Sequence, residues 1–143
     1  MTELKPEPEH LTNLIVSEAW LDSFGHVNNA RYLELYEQAR WNWLIDGGID
    51  IQTIKSTGIG PVILEINLRF RKELLARQEI QIRSWCASYR KKILVIRQEM
   101  WIQASEEIAS EITLTAGLMD LNQRKLIEPP PHWQQAMGIP WEA

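Results

Sequence analysis

Val62, Leu64, Ile66, Leu68 and Phe70 alternate with Ile63, Glu65, Asn67, Arg69 and Arg71. A period of two sustained over residues 62–71 is that of a β-strand with one apolar face. Three more stretches, 79–88, 93–103 and 108–121, are apolar and long enough to be strands, and the short connections between them predict antiparallel neighbours. Residues 13–20 form a further candidate strand, although Leu14, Ile15 and Val16 are consecutive and break the alternation.

Between the first and second of these strands the period changes. Residues 30–46 contain neither Gly nor Pro, follow Asn28-Asn29 and stop at Gly47-Gly48, which predicts a helix with an Asn cap and a glycine end. Tyr32, Leu35, Tyr36, Ala39 and Trp43 share one stripe, yet Leu33, Trp41 and Leu44 lie off it. A helix apolar around most of its circumference is buried on several sides. One strand, a long helix and four long strands predict an α+β fold in which a five-stranded antiparallel sheet wraps a central helix.

The remaining composition narrows this picture. The 143 residues, 45% hydrophobic and 24% charged, are expected to form one domain over 1–143, with 1–10 a flexible leader and 129–143 a tail opened by Pro129-Pro130-Pro131. The sequence has no apolar run approaching the roughly 20 residues that span a bilayer. No signal peptide is evident, and a cytoplasmic location with no membrane partner is the expectation. A net charge of −4 argues against a nucleic-acid partner. Cys86 has no second cysteine to pair with and no nucleophile signature around it, so a buried, inert thiol is expected. His10, His26 and His132 lack metal-ligand spacing, no Gly-x-Ser-x-Gly elbow is present, and neither a metal nor a cofactor is expected.

The most informative segment is Asp22-Ser-Phe-Gly-His26-Val-Asn28-Asn29-Ala-Arg-Tyr32 at the helix start. Together with Glu37-Gln-Ala-Arg40, Gly58-Ile-Gly60-Pro61 and Glu65-Ile-Asn-Leu-Arg69-Phe-Arg71, it resembles the signature of the hotdog-fold acyl-CoA thioesterases of the 4-hydroxybenzoyl-CoA thioesterase type. The resemblance covers about residues 12–122 and implies a hotdog fold, hydrolysis of an acyl-CoA thioester, and assembly as a homodimer or homotetramer. Within it Asp22 takes the place of the catalytic nucleophile or general base, with His26 and Asn28 orienting the carbonyl or bracing the loop.

A thioester needs little more than such a carboxylate and donors for the oxyanion, because its carbonyl is weakly stabilised and its thiolate leaves readily. Free amides near Asn29, Ala30 and Arg31 are candidate donors. The competing reading of Asp22 is a turn former that bonds its own backbone, and that of Asn28 or Asn29 is a helix cap rather than a substrate contact. Glu34 and Glu37 are alternative acids on the helix.

Asn29 and Tyr32 are expected to contact substrate, and Gly60 to allow close backbone approach to the thioester or a tight start to its strand. Arg69, Arg71, Lys91 and Lys92 are candidate phosphate contacts for CoA, or else a solvated strand face and an ordinary hairpin turn. Trp43 and Trp85 are candidate walls of an acyl pocket. Two other outcomes of the same fold stay open: release of an acyl or polyketide chain from a carrier protein, and a non-catalytic acyl-CoA-binding module.

Overall fold

The structure is a computed structural model that describes residues 9–139. The element order is β1 (His10–Ile15), a 3-10 turn (Glu18–Trp20), α1 (Asn29–Asp46), α2 (Ile51–Thr57), β2 (Ile59–Phe70), β3 (Glu79–Arg90), β4 (Ile93–Ile102), β5 (Glu107–Asp120), β6 (Lys125–Ile127) and α3 (Pro131–Met137). The sheet is antiparallel in the order β1-β3-β4-β5-β2, so the five expected strands are present. Short β6 is added to β5 at Leu118–Asp120, just beyond Ala116, where the β4 pairing has ended. The expected leader falls mostly outside the described residues, except that His10 already belongs to β1.

α1 lies against one face of this sheet. Its Tyr32, Leu35, Tyr36, Ala39, Trp43 and Leu44 are buried and join Ile80, Ile82, Ile96, Met100, Ile112 and Leu114 of the strands in one core. Bulges bend the strands around the helix: the ladder shifts register between Ile63 and Glu65 in β2, between Cys86 and Ser88 in β3, and opposite Met100 and Trp101 in β5. Gln98, fully buried on β4, donates to the Tyr36 carbonyl (3.1 Å) and the Ser84 hydroxyl (3.0 Å) and accepts from the Arg40 guanidinium (3.0 Å). Tyr36 and Ser110 hydroxyls meet at 2.5 Å. These bonds pair the buried polar groups of Gln98, Ser84, Tyr36 and Ser110 and fix α1 lengthwise on the sheet.

Two details depart from the sequence expectations. The first strand ends at Ile15 instead of running to residue 20, because the Ser17 hydroxyl accepts from the Ala19 amide (3.2 Å) and starts the 3-10 turn. In β2 the bulge at Leu64 changes which residues face the helix. Pro61 and Ile63 pair with Leu118 and Ala116, whereas Ile66, Leu68 and Phe70 pair with Leu114, Ile112 and Ser110. Directly opposed residues share a face, so the helix-facing set is Pro61, Ile63, Ile66, Leu68 and Phe70, with Val62 turned outward. Within the expected tail, residues Pro131–Met137 form the short helix α3. It packs so tightly on the end of α1 that a Cβ at Gly47 would lie 2.7 Å from the Ala136 Cβ.

Cys86 is buried and its thiol is pushed up to about 11 by that burial, with the Ser88 carbonyl close by at 3.4 Å. At pH 8 the folded protein is expected to react with a thiol reagent much more slowly than the same chain in denaturant. Because the folded value is raised, the unfolded chain ionises first, so Cys86 lowers stability as pH climbs from about 9 towards 11. A titration of unfolding free energy against pH, compared with Cys86→Ala, reads that slope.

Candidate active site

The loop between the 3-10 turn and α1 is a closed turn. Leu21 and Val27 form an isolated bridge, the Asp22 amide donates to the His26 carbonyl (2.8 Å), and the Gly25 amide to the Asp22 carbonyl (3.1 Å). Asp22 Oδ1 accepts from the amides of Phe24 (2.9 Å) and His26 (3.3 Å). Asp22 therefore shapes the turn as an Asx residue does. Its Oδ2 takes no hydrogen bond from the described residues, so half of the carboxylate is uncommitted.

Asp22 lines a cleft of about 250 Å³ together with His26, Asn29, Tyr32, Phe70, Arg71, Lys72 and Glu73. The far wall is held by Leu74, whose carbonyl accepts from the Val27 amide (3.1 Å). Tyr32 is buried against Phe70 in an edge-to-face contact, ring centroids 5.0 Å apart. Burial raises the Tyr32 phenol above its ordinary value, the adjacent Leu74 amide works against this, and the Glu73 carboxylate adds to the rise.

At the helix start, the Ala30 amide is taken by the Asn28 side chain (2.9 Å) and the Arg31 amide by the Asn28 carbonyl (2.9 Å). The Asn29 amide meets no acceptor among the described residues, and it stands at the positive end of α1 beside the cleft. Asn28 is thus the helix cap. Asn28→Ala is expected to cost about 1 kcal/mol of stability, measurable as a lower denaturation midpoint, with Asn28→Asp retaining most of it.

The other sequence-predicted residues are dispersed. Arg71 lines the cleft but pairs with Glu111 (2.8 Å), as Lys72 does with Glu107 (2.7 Å). Arg69 lies on the outer face of the sheet, in a polar hollow with Asn67, Arg97, Glu111 and Thr113. Lys91 and Lys92 make the β3–β4 turn, Lys91 with φ of 54°, and the Lys92 carbonyl lies close to Gly117. Gly60 begins β2 at that same end, against Leu121 and Ile54. Glu34 is paired with Arg31 (2.5 Å).

Sequence reasoning missed a second hollow. A cavity of about 140 Å³ opens between the middle and end of α1, the start of β2 and α3, with Trp43, Leu44, Ile63, Leu118, Trp133 and Met137 among its walls. Glu37 and Arg40 also line it, so Glu37 belongs to this cavity and not to the Asp22 cleft. Trp43 is a wall as expected, while Trp85 pairs with Arg97 on the opposite face of the sheet. The signal for the missed walls was the i, i+3, i+4 spacing of Trp133, Ala136 and Met137 behind Pro131.

Comparison with known proteins gives three kinds of match. The profile of the thioesterase-like superfamily matches residues 16–137. The long-chain acyl-CoA thioesterase FadM of Escherichia coli (strain K12) is 28% identical over 116 residues, covering 81% of this chain and 87% of its own. Among solved structures, the probable thioesterase YbaW from Escherichia coli superposes with a TM-score of 0.79 at 26% identity, covering 90% of this chain and 98% of that one. The Staphylococcus aureus protein SAV2348, solved in complex with CoA, superposes with a TM-score of 0.84 at 13% identity over 96% of this chain and 84% of its own.

Proposed function

The chain belongs to the thioesterase-like superfamily and has its hotdog fold; on that premise we propose that it hydrolyses long-chain acyl-CoA to a free fatty acid and CoA, with Asp22 as the nucleophile or general base. It is a thioester hydrolase, and the long acyl chain is taken from its relative's specificity. The observation that carries the assignment to Asp22 is its divided carboxylate on a cleft-lining residue: one oxygen is held by the Phe24 and His26 amides, and the other takes no hydrogen bond from the described residues.

In this mechanism the thioester carbonyl sits over the start of α1. The Asn29 amide and the helix dipole receive the developing oxyanion. Asp22 Oδ2 either removes a proton from the attacking water or attacks the carbonyl itself, forming an anhydride that water then opens. In both routes an acyl–oxygen bond replaces the acyl–sulfur bond, and the CoA thiolate departs and takes up a proton from solvent. Tyr32 and Phe70 form the cleft's apolar wall.

The site is completed by a second copy of the chain. β2 is a sheet edge, and along it Ile63, Ile66 and Phe70 are 40%, 45% and 50% exposed although they face α1. Antiparallel pairing of β2 with its counterpart continues the sheet, closes the gap between α1 and β2, and removes an aggregation-prone edge. It also turns the end of the sheet bearing Lys91 and Lys92 of the partner subunit towards this protomer's cleft. Those lysines then supply the phosphate contacts that Arg71 and Lys72, already paired, are less free to make. The test is release of free thiol from short, long and aromatic acyl-CoAs: turnover with a preference for long chains is expected, and tight binding without turnover would leave only an acyl-CoA-binding module.

A further inference from the structure

The cleft and the cavity are the two ends of one seam. β2 runs antiparallel to α1: Phe70 lies at the cleft with Asn29 and Tyr32, while Pro61 and Ile63 lie at the cavity with Arg40 and Leu44. Between them the helix-facing residues Leu68 and Ile66 keep the path apolar, and Leu33 on α1 is 40% exposed beside it. From Asn29 to Arg40, at about 1.5 Å per residue, the helix advances roughly 17 Å. Carbon–carbon bonds of about 1.5 Å laid in a zigzag advance about 1.3 Å per carbon, so roughly 13 carbons reach the mouth of the cavity. The cavity itself, about 140 Å³, is comparable with an apolar cavity of roughly 150 Å³ that admits a benzene molecule.

α3 supplies one wall of the cavity through Trp133 and Met137. Trp133 is completely buried and Met137 nearly so, and α3 cannot retreat along α1 without breaking the Gly47–Ala136 contact. We propose that α3 is the ruler of an acyl channel: the chain runs from the Asp22 cleft along the α1–β2 seam into this cavity, and Trp133 with Met137 sets the longest chain accepted. The inference rests on the acyl-CoA reading for the identity of its ligand, whereas the cleft, the cavity and the α3 wall are read from packing. It assigns a function to a segment that lies outside the motif region and touches none of the reacting atoms.

Trp133→Phe and Trp133→Leu shorten the wall by increasing amounts. The first is mild for the fold, since the indole N–H that it deletes is buried and meets no acceptor among the described residues. The readouts are kcat/KM for saturated acyl-CoAs from eight to twenty carbons, and the Kd of the corresponding free fatty acids, which needs no catalysis. Wild type is expected to lose efficiency sharply beyond a limiting length. In Trp133→Leu that limit moves out by about two carbons, and the ratio of efficiencies for chains just above and just below the wild-type limit rises at least about tenfold, the discrimination one methylene ordinarily carries. Ile63→Phe, which fills the cavity from β2, moves the limit the other way.

An unchanged limit in folded Trp133→Leu and Ile63→Phe overturns the ruler. If wild type binds fatty acids with a length limit that these variants move, yet hydrolyses no acyl-CoA, the ruler stands and the hydrolase reading falls. Failure to bind any chain overturns the channel itself.

Discussion

Asp22→Asn is expected to leave the fold intact and to lower kcat by about a hundredfold or more, the range set by loss of a general base. The substitution separates the two readings of this residue. An asparagine side chain keeps the carbonyl oxygen that accepts from the Phe24 and His26 amides, so the turn survives. What disappears is the charge and basicity of the second oxygen. A residue that only shaped the turn would tolerate asparagine with kcat within a few-fold of wild type, whereas the proposed base or nucleophile would not. Unchanged unfolding free energy shows that chemistry, not the loop, was lost. Asp22→Ala removes both functions and is expected to add a stability penalty of about 1 kcal/mol for the two unpaired amides, one of them exposed.

Ile66→Arg is expected to convert the assembly to monomers at micromolar concentration and to reduce kcat/KM by about a hundredfold or more. Ile66 lies in the middle of the β2 edge, pairs with Leu114 and is 45% exposed in the single chain. In the proposed dimer it is enclosed by the second copy, where an unpaired guanidinium costs several kcal/mol. In an isolated chain the same arginine reaches water and changes stability little. Molar mass in solution, measured beside activity, distinguishes the cases. A monomeric wild type with full activity, or an unchanged mass in the variant, contradicts a site built by two copies.

Elements long enough to show a period were legible in the sequence. α1 was predicted within one residue at its start, because Asn28 and Gly47 mark its ends and propensity does not oppose them. β3, β4 and β5 each differ from expectation by at most two residues at an end. α2, with seven residues, and β6, with three, are too short to carry a period, and their stability comes from neighbours that a sequence does not display.

The β2 alternation misled in a more instructive way. A period of two assumes an unbroken ladder, and one extra residue at Leu64 reversed the faces on its N-terminal side. Asp22, His26, Asn29 and Tyr32 were found together because a turn followed by one helical turn keeps them close. Phe70, Lys72 and Glu73 reach the same cleft only through the pairing of β2 with β5 and the clamp at Leu74, which are long-range facts. The spread of Arg69 and Arg71 has the same origin: one remains on the sheet's outer face, while the other follows the end of the strand into the cleft.

The most direct test of the account is kcat for CoA release from a saturating long-chain acyl-CoA, measured for wild type, Asp22→Asn and Glu37→Gln. Glu37 lines the distal cavity, and Asp22 the cleft at the helix start. Turnover by wild type, a loss of about a hundredfold or more in Asp22→Asn and a change within a few-fold in Glu37→Gln is the predicted result. Retained turnover in Asp22→Asn with collapse in Glu37→Gln would contradict it, moving the chemistry to the middle of α1 and the acyl chain out of the cavity beneath α3.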